Sequence, residues 1–402
     1  MALIVQKFGG SSVKDAAHIE NVAGIIADTY RAGNQVVVVL SAQGDTTDEL
    51  IEKAKEINPS PSQREMDMLL ATGEQISIAL MAMCFEKMDI PSISLTGWQA
   101  GVRTDSNYST ARIKKIERDR IRAELDRRNV VIIAGFQGIN KFGDITTLGR
   151  GGSDTSAVAL AAALRADLCQ IYTDVDGVYT ADPRIVKGAK KLDEITFDEM
   201  LELASLGAQV LHNRSVEMAR RYGIDMEVLT SLERKPGTKI KEVVKMESMA
   251  ISGVAKDDNV ARIALIGLQD VPGIAYRIFS LLAKQKINVD IILQSIGRGS
   301  TKDISFTIAK DNKDLALEIL EANKDIVAYK DITVDDKVSK VSIVGSGMIN
   351  NPGIAAMMFE ALYNVGVNIQ MISTSEIKVS VLIGNADAEI AMQAVHDKFF
   401  KK

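Results

Sequence analysis

Two stretches in the C-terminal part of this chain repeat each other without a gap. Residues 270–295 read DVPGIAYRIFSLLAKQKINVDIILQS, and residues 350–375 read NNPGIAAMMFEALYNVGVNIQMISTS. Each copy follows an apolar strand, opens a helix with Pro-Gly-Ile and continues into a second apolar strand, and another strand and helix come after it. Two copies of strand–helix–strand–strand–helix predict two small ferredoxin-like α+β sandwiches.

The chain before the repeat has a different pattern, in which apolar strands alternate with helical periods up to about residue 245. QVVVVLSA, NVVIIAGF and LCQIYTD are continuous apolar runs, typical of strands buried on both faces of a parallel sheet. This alternation predicts a three-layer α/β domain that binds ligands beyond the carboxyl ends of its strands.

A charged stretch, LERKPGTKIKEVVKMESM, separates the two patterns and marks a domain edge. We therefore predict three domains, at residues 1–245, 246–335 and 336–402. The second includes an apolar strand at about 249–257, outside the repeated unit, which we expect to cross over and complete the last module.

Composition excludes several classes of partner and site. With 48 basic and 53 acidic residues the net charge is −5, which argues against nucleic acid or an anionic membrane. The start MALIVQKFGG carries no leader pattern and no window approaches a membrane span, so we expect a cytoplasmic protein. Cys84 and Cys169 lie in apolar runs and read as core residues, and three scattered histidines make a zinc site improbable.

Polar clusters stand where four predicted strands end: KFGGSS, SAQGDTTDE, TTLGRGGSDTS and YTDVDGVYTADPR. Each alone is ordinary turn material, but four at successive strand ends are not. Glycine turns that lead into helices, with a lysine, an arginine and carboxylates nearby, suit phosphoryl transfer. No P-loop and no complete G-x-G-x-x-G is present, which excludes the commonest nucleotide-binding motifs.

Together with MLLATGE and GFQG, these motifs closely resemble the aspartate kinases of the amino acid kinase family, and the repeat resembles the paired ACT domains that end the monofunctional members. The resemblance covers essentially the whole chain. It implies a three-layer α/β/α kinase domain with a mainly parallel sheet, followed by two ferredoxin-like α+β ACT domains. It also implies transfer of the ATP γ-phosphoryl group, with Mg²⁺, to the β-carboxylate of L-aspartate. The product, 4-phospho-L-aspartate, would be the first intermediate of lysine, threonine and methionine biosynthesis.

The same resemblance implies the site residues. Lys7 would stabilise the transferred phosphoryl group, and Asp154 would orient Lys7 or help with magnesium. Arg150 would hold the α-carboxylate of aspartate and Glu74 its ammonium group, and the aspartate site as a whole would comprise Ser41, Thr47, Glu74, Arg150 and Ser153. ATP would contact Lys7, Gly9, Gly10, Ser11, Thr173, Asp174, Tyr179, Asp182, Pro183 and Arg184.

One residue departs from the family pattern. Many members have a lysine in GAKVLH that helps to bind the nucleotide, whereas this chain reads GAQVLH, with Gln209. A glutamine adds no charge, so we assign no nucleotide-binding charge to this position. The neighbouring His212 is predicted to be a hydrogen-bonded structural residue.

The ACT resemblance implies feedback inhibition by lysine, threonine or both. Effectors would bind at Asp270, Ile274, Ala275, Asn288, Val289 and Gln294 in the first copy, and at Asn351, Ile354, Asn368, Ile369 and Glu376 in the second. Pairing of ACT domains implies a homo-oligomer, or an assembly with a short ACT-only subunit that starts internally at Met246 or Met249.

Two other functions fit parts of the sequence. The chain could be another amino acid kinase, acting on glutamate or acetylglutamate, although the ACT pair and the MLLATGE and GRGGSD stretches weigh against this. It could also be an amino-acid sensor with an inactive kinase domain, but Lys7, Arg150 and Asp154 are all present.

Overall fold

The computed structural model describes residues 1–207, 210–244, 250–295 and 301–401. Gln209, Met246 and Met249, on which three of the predictions above depend, lie outside these residues. The chain forms two compact units. The first takes in residues 1–179, 191–204 and the described residues from 210 to 244, and the second takes in 180–190, 205–207 and the described residues from 250 onward.

The first unit follows the predicted alternation of strands and helices. Its strands in chain order are β1 (Leu3–Phe8), β2 (Gln35–Leu40), β3 (Ser92–Leu95), β4 (Val102–Thr104), β5 (Ile113–Ile116), β6 (Val130–Ala134), β7 (Gln137–Ile139), β8 (Ile145–Thr147), β9 (Leu168–Thr173), β10 (Glu194–Thr196), β11 (Met226–Thr230) and β12 (Thr238–Lys241). Its helices are α1 (Ala16–Arg31), α2 (Thr46–Ile57), α3 (Gln63–Lys87), α4 (Asp119–Asp126), α5 (Gly152–Leu164), α6 (Phe197–Ser205) and α7 (Asn213–Tyr222).

Eight of these strands form the main sheet, in the order β10-β12-β11-β9-β1-β2-β6-β3. All neighbours in the sheet are parallel except β11 and β12. The sequence reason is visible in β2 and β6, in which the side chains of VVVVL and VVIIA are fully buried, as strands covered on both faces require. The predicted fold class is confirmed, and the central strands β9, β1, β2 and β6 run parallel side by side.

A second, four-stranded sheet in the order β5-β4-β7-β8 lies in the same unit. The long helix α3 packs against β8, β3 and β6. It is the one helix among the described residues that is long and apolar enough to span a membrane. Leu70, Ile78, Met81 and Phe85 are buried, and the last three lie in the same apolar core as residues of β1 and β2, as expected for a core helix.

The second unit holds the predicted repeat. Its strands are β13 (Gly253–Asp257), β14 (Ala261–Gln269), β15 (Val289–Gln294), β16 (Thr301–Ile308), β17 (Asp331–Asp335), β18 (Val338–Val344), β19 (Met371–Thr374) and β20 (Lys378–Gly384). Its helices are α8 (Ile274–Lys284), α9 (Lys313–Ala322), α10 (Lys324–Val327), α11 (Ile354–Asn364) and α12 (Ala388–Phe400).

Each copy of the repeat builds its own antiparallel sheet, with the orders β15-β16-β14-β17 and β19-β20-β18-β13. The fourth strand of each sheet comes from outside the repeated unit. β13 pairs antiparallel with β18, which is the pairing that the crossover hypothesis predicts for this strand. β17 pairs with β14, and the sequence analysis did not foresee this edge strand.

The boundary between the two units differs from the single division at residue 245 that the sequence suggests. The segment 180–190 joins the second unit because Ala181 and Val186 are buried in an apolar core with Ile251, Val341 and Met358. The few scattered apolar side chains of this turn sequence gave no indication of which core they enter.

Candidate active site

The carboxyl ends of β1, β2 and β6 meet at one cavity of about 290 Å³. In the register of the parallel sheet Lys7 lies beside Val39 and Phe8 beside Leu40, so the chain segments that follow both strands leave the sheet together. The cavity is lined by Lys7, Gly9, Gly10, Ser41, Ala42, Gly44, Thr47, Glu74, Phe136, Gly149, Arg150, Gly151, Gly152, Ser153 and Asp154. Three of the four polar clusters of the sequence are therefore at one place.

Lys7 and Asp154 form an ion pair at this cavity. Lys7 Nζ lies 2.7 Å from Asp154 Oδ1, and both side chains are largely buried, at 12% and 13% exposure. Asp154 Oδ1 is buried and has no hydrogen-bond partner, so the attraction between the two side chains is chiefly that of opposite charges in a poorly solvated place. The carboxylate therefore holds the Lys7 side chain in a defined position.

Close backbone approach explains the glycines that follow β1. A Cβ on Gly10 would lie 2.6 Å from the Ala42 carbonyl oxygen, and the Gly44 amide donates to the Gly10 carbonyl at 3.0 Å. Only glycine allows the two loops after β1 and β2 to pack this closely. Ser12, one turn further, shares a hydrogen bond of 2.7 Å with Ser231.

The N-terminus of α5 lies at the same cavity. Its capping residue Gly151 has φ +66°, a left-handed conformation, and a Cβ there would lie 2.3 Å from His212 Cγ. The first intrahelical hydrogen bond is donated by the Thr155 amide to the Gly151 carbonyl, so the amides of Ser153 and Asp154 precede it and are available to an anion. His212 itself is the hydrogen-bonded structural residue that was predicted, since its Nδ1 accepts from the Arg214 amide.

Glu74 is the most perturbed acid of the cavity. It lies within α3 at 3% exposure, and Oε1 accepts a hydrogen bond of 3.2 Å from the Ala42 amide. Oε2 is buried and has no hydrogen-bond partner. Burial raises the pKa of Glu74 to about 7, although the Ala42 amide lowers it in part. A buried carboxylate oxygen without a partner is costly, and a cationic ligand group would remove that cost.

The other predicted aspartate residues surround the same space. Ser41 and Thr47 are half-buried on the β2–α2 side, Ser153 is buried in the first turn of α5, and Arg150 is exposed at the rim. All five residues predicted for aspartate thus line one cavity.

The predicted nucleotide residues are divided between the two units. Gly9 and Gly10 line the cavity, while Ser11 is exposed beside it. Thr173 ends β9, and its Oγ1 accepts from the Val175 amide, whereas Asp174 is exposed. Tyr179 donates to Asp176, which also pairs with Lys191. Asp182, Pro183 and Arg184 belong to the second unit, where Arg184 pairs with Asp182 at 2.7 Å.

Two residues of this region were not predicted from the sequence as part of the site. Asp67 is fully buried in α3 and accepts hydrogen bonds from Ser109 and Thr147, which fixes α3 to β8. The motif MLLATGE begins one residue too late to include it. Phe136, in the quoted GFQG stretch, has φ +69° and lines the cavity; a strained backbone of this kind is typical of functional sites.

Three pairs of the predicted effector residues align between the two ACT-like modules: Ile274 with Ile354, Asn288 with Asn368, and Val289 with Ile369. Asp270 pairs with the largely buried Lys302 at 3.0 Å, and Ile274 and Ile354 are buried at the starts of α8 and α11. Asn288 and Val289 line a cavity of about 430 Å³ together with Asp290 and Lys340. The remaining residues are largely on the surface: Ala275, Gln294, Asn351, Asn368, Ile369 and Glu376.

Comparison with known proteins agrees with this description. Residues 2–230 match the amino acid kinase family, and residues 263–323 and 341–399 match the ACT domain. The chain is 51% identical to an aspartokinase of Bacillus sp. strain MGA3, covering 99% of this chain and 97% of the relative. It is 50% identical to the aspartokinase of Corynebacterium glutamicum, with 99% and 96% covered.

Solved structures are also similar over the whole length. The crystal structure of E. coli aspartokinase III in complex with aspartate and ADP superposes with a TM-score of 0.84 at 26% identity, and covers 99% of this chain and 100% of the other. The same enzyme in complex with lysine and aspartate gives a TM-score of 0.77 at 26% identity, with the same coverage. On the family match and on the full-length relatives, the chain belongs to the aspartokinases of the amino acid kinase family.

Proposed function

We propose that this chain transfers the γ-phosphoryl group of ATP to the β-carboxylate of L-aspartate, giving 4-phospho-L-aspartate and ADP. The observation that carries the proposal is that one cavity holds two binding positions of opposite charge. The Lys7–Asp154 pair offers a fixed cation to a phosphoryl group, and the unpartnered Oε2 of Glu74 offers an anion to an ammonium group.

No general base is required in this reaction. The β-carboxylate of aspartate is ionised at neutral pH and attacks the γ-phosphorus directly, while ADP leaves with the electron pair of the broken P–O bond. The main obstacle is bringing two anions together, which calls for positioning and for neutralisation of charge. Lys7 and the amides at Gly9, Gly10 and the start of α5 supply the positive potential.

Orientation of the acceptor falls to residues on the other side of the cavity. Glu74 binds the α-ammonium group, Arg150 binds the α-carboxylate, and the hydroxyl groups of Ser41, Thr47 and Ser153 complete the contacts. Three fixed points on one amino acid leave its β-carboxylate directed at the phosphoryl group. Arg150 is suited to this task because it is exposed at the rim of the cavity, within reach of a bound substrate.

ATP and Mg²⁺ fit the residues present. The close approach at Gly10, where a Cβ would meet Ala42, leaves bare backbone for phosphate oxygens. The described residues contain no group of three or more metal-binding side chains, so Mg²⁺ would be held by the ATP phosphates with Asp154 as its protein carboxylate. Bound in this way, Mg²⁺ supplies further neutralisation of the phosphate charge.

The remaining nucleotide contacts are proposed for Ser11, Thr173, Asp174, Tyr179, Asp182, Pro183 and Arg184. The same proposal places the catalytic domain at residues 1–245 and the ACT domains at 246–335 and 336–402. The chain would act in the cytoplasm, at the first step towards lysine, threonine and methionine.

We also propose that the ACT modules bind lysine, threonine or both and inhibit the kinase. Support comes from the structure of a related enzyme in complex with lysine and aspartate. The two modules would act by favouring an inactive arrangement when an end product is bound. Assembly into a homo-oligomer, or with a short ACT-only subunit, would provide the paired effector sites.

A hydroxamate assay tests the reaction directly, because hydroxylamine traps an acyl phosphate. Purified protein is incubated with ATP, magnesium and either L-aspartate or L-glutamate, with and without lysine and threonine. We expect signal with aspartate only, and its loss on adding an effector. A folded protein that binds lysine or threonine but gives no hydroxamate would instead be an amino-acid sensor with an inactive kinase domain.

A further inference from the structure

We propose that Gln393 and His396, on the last helix of the chain, are positioning residues for the nucleotide. They hold the segment 180–190, which carries the proposed ATP contacts Asp182, Pro183 and Arg184. The inference rests on the proposed function and goes beyond it, because it gives the C-terminal ACT module a direct mechanical role in nucleotide affinity.

The chain leaves the kinase unit at residue 180 and returns to it at residue 191. Tyr179 and Lys191, which flank the segment 180–190, pair with each other in an antiparallel bridge within the first unit. Its two ends are therefore close together. Between them, the residues from Thr180 to Lys190 pack with the second unit. What keeps this segment in place must be sought in the ACT modules.

Hydrogen bonds attach the segment to α12 at two points. The Lys187 amide donates to Gln393 Oε1 at 2.9 Å, and Gln393 Nε2 donates to the Lys187 carbonyl at 3.2 Å. One turn along the helix, His396 Nε2 lies 2.9 Å from Thr180 Oγ1. The side chains of Gln393 and His396 are three residues apart on a helix and so share one face.

The direction of the Thr180–His396 hydrogen bond follows from the other contacts of the hydroxyl group. Thr180 Oγ1 already accepts from the Lys190 amide at 2.9 Å, so its own proton is free to be donated to His396 Nε2. Burial lowers the pKa of His396 and favours the neutral ring that can accept it. The ring is 2% exposed and stacks on Phe400.

Backbone and apolar contacts make the attachment rigid. The Val254 amide of β13 donates to the Thr180 carbonyl at 2.8 Å. Ala181 and Val186 are buried at 4% and 1% exposure, in the same core as Val395 of α12. These anchored residues lie on both sides of the proposed ATP contacts, residues 182–184, in the sequence. The turn that carries the proposed contacts is therefore fixed to the second unit.

The turn itself presents charge to solvent. Asp182 accepts from the Arg184 amide at 2.9 Å and pairs with its guanidinium group, whose side chain is 88% exposed. Asp182 thus orients Arg184 on a turn whose position the ACT module sets. A change at α12 should alter nucleotide affinity while the chemistry at Lys7 and the aspartate contacts stay as they are.

Paired substitutions test this in the full-length protein. Thr180→Val removes the hydroxyl proton that His396 accepts and keeps the shape of the side chain, and Thr180→Ser restores the hydroxyl group. Gln393→Ala removes both bonds to Lys187. The matched control on the same helix is Lys398→Ala, which removes an ion pair with Glu360 of α11 and has no bond to the segment. The readouts are KM for ATP and for aspartate, kcat, the ADP dissociation constant by calorimetry, and Tm.

We expect Thr180→Val and Gln393→Ala each to raise KM for ATP and the ADP dissociation constant about threefold to tenfold, as the loss of one or two hydrogen bonds allows. The kcat and the KM for aspartate of these two variants should stay within about twofold, which is less than the effect of losing one net hydrogen bond. The controls Thr180→Ser and Lys398→Ala should bind ADP like the unmodified protein. Unchanged ADP binding in Thr180→Val and Gln393→Ala would overturn the inference, as would an equal loss in Lys398→Ala. If Thr180→Val does not fold, Gln393→Ala decides.

The assay of the unmodified protein keeps this result separate from the proposed function. If it forms no aspartyl phosphate, the proposed function fails, whatever ADP binding shows. If it is active and the variants bind ADP normally, only the positioning role of α12 fails.

Discussion

Glu74 is the residue of the site whose charged form is most destabilised by burial. Its carboxylate is buried, one oxygen has no partner, and burial raises its pKa to about 7, above the ordinary value of 4.5. In the proposed site, the missing partner is the ammonium group of the substrate. In the ligand-free state, therefore, Glu74 makes the protein more stable when it is protonated.

The sign of the resulting pH dependence can be stated. Between about pH 4.5 and 7 the folded state binds a proton at Glu74 that the unfolded state has lost, so the contribution of Glu74 to stability falls as pH rises through this window. We expect Glu74→Gln to abolish this slope, measured by urea unfolding at several pH values without aspartate. An identical slope in the variant would assign the pH dependence to other groups.

Aspartate binding should show the opposite trend. If the ionised form of Glu74 binds the ammonium group, as proposed, KM for aspartate should fall as pH rises from about 6 to 8, around the raised pKa. In Glu74→Gln we expect kcat/KM for aspartate to drop by about tenfold to a hundredfold, the effect of losing one charge-assisted contact. Steady-state kinetics across this range measure both, and KM for ATP serves as the internal control.

Lys7 and Asp154 should affect the chemical step more than binding. Replacing Lys7 with Met removes the cation that we propose stabilises the transferred group, and we expect kcat to fall by about a hundredfold or more. Asp154→Asn leaves Lys7 present without its partner at 2.7 Å, and a smaller loss of kcat should follow. Single-turnover measurements separate the chemical step from product release. A loss confined to KM in both variants would contradict the assigned roles.

At the scale of elements, the start of α5 is the most constrained part of the cavity. Gly151 has a left-handed backbone conformation, and the position that a Cβ would take there is already occupied by His212. The helix begins here, at Gly152, and the amides of its first turn depend on this conformation. The site therefore relies on contact between the GRGG turn and the residue that precedes α7.

Comparing Gly151→Ala with Gly33→Ala separates the cost of left-handed backbone strain from the cost of a steric clash with His212. Gly33 also has positive φ, at +89°, but a Cβ there meets nothing within 4 Å. We expect Gly33→Ala to cost only the left-handed strain, about 1–2 kcal/mol, with normal activity. Gly151→Ala should cost more and should also lose most activity. Thermal unfolding and the hydroxamate assay measure the two effects, and equal behaviour of the variants would argue against a close fit at His212.

How far the sequence predicts these elements depends on the range of the interactions involved. Lys7, Ser41 and the start of α5 are predictable because each stands next to a buried strand or helix whose pattern is local. Asp67 is not, since its partners Ser109 and Thr147 lie 42 and 80 residues away. The edge strand β17 was missed for a related reason: its burial pattern is mostly exposed, so no apolar alternation marks it.

At the scale of the whole molecule, the chain passes between its two units more than once. A reader of the sequence sees a kinase half and a regulatory half with a charged linker between them. The structure instead places 180–190 and 205–207 with the regulatory unit. The local sequence of such a segment carries too little apolar surface to show which core it enters.

This division predicts how a truncated protein behaves. A fragment of residues 1–245 exposes Ala181 and Val186, which are buried in the intact chain, and we expect it to aggregate. Replacing residues 180–190 with a two-residue Asn-Gly turn, which suits the bridged Tyr179 and Lys191, should restore a soluble monomeric fragment. Size-exclusion chromatography compares the two fragments. Equal solubility would show that the segment does not need the ACT modules.

The same segment bears on how such enzymes could exchange their regulation. Recombination at one point in the linker would join a kinase half from one parent to ACT modules from another, yet residues 180–190 would still come from the first parent and α12 from the second. The hydrogen bonds of Thr180 with His396 and of Lys187 with Gln393 would then have to form between residues of different parents. A hybrid that keeps these four residues from one parent therefore needs at least two junctions, because α12 must come from the parent that supplies residues 180–190.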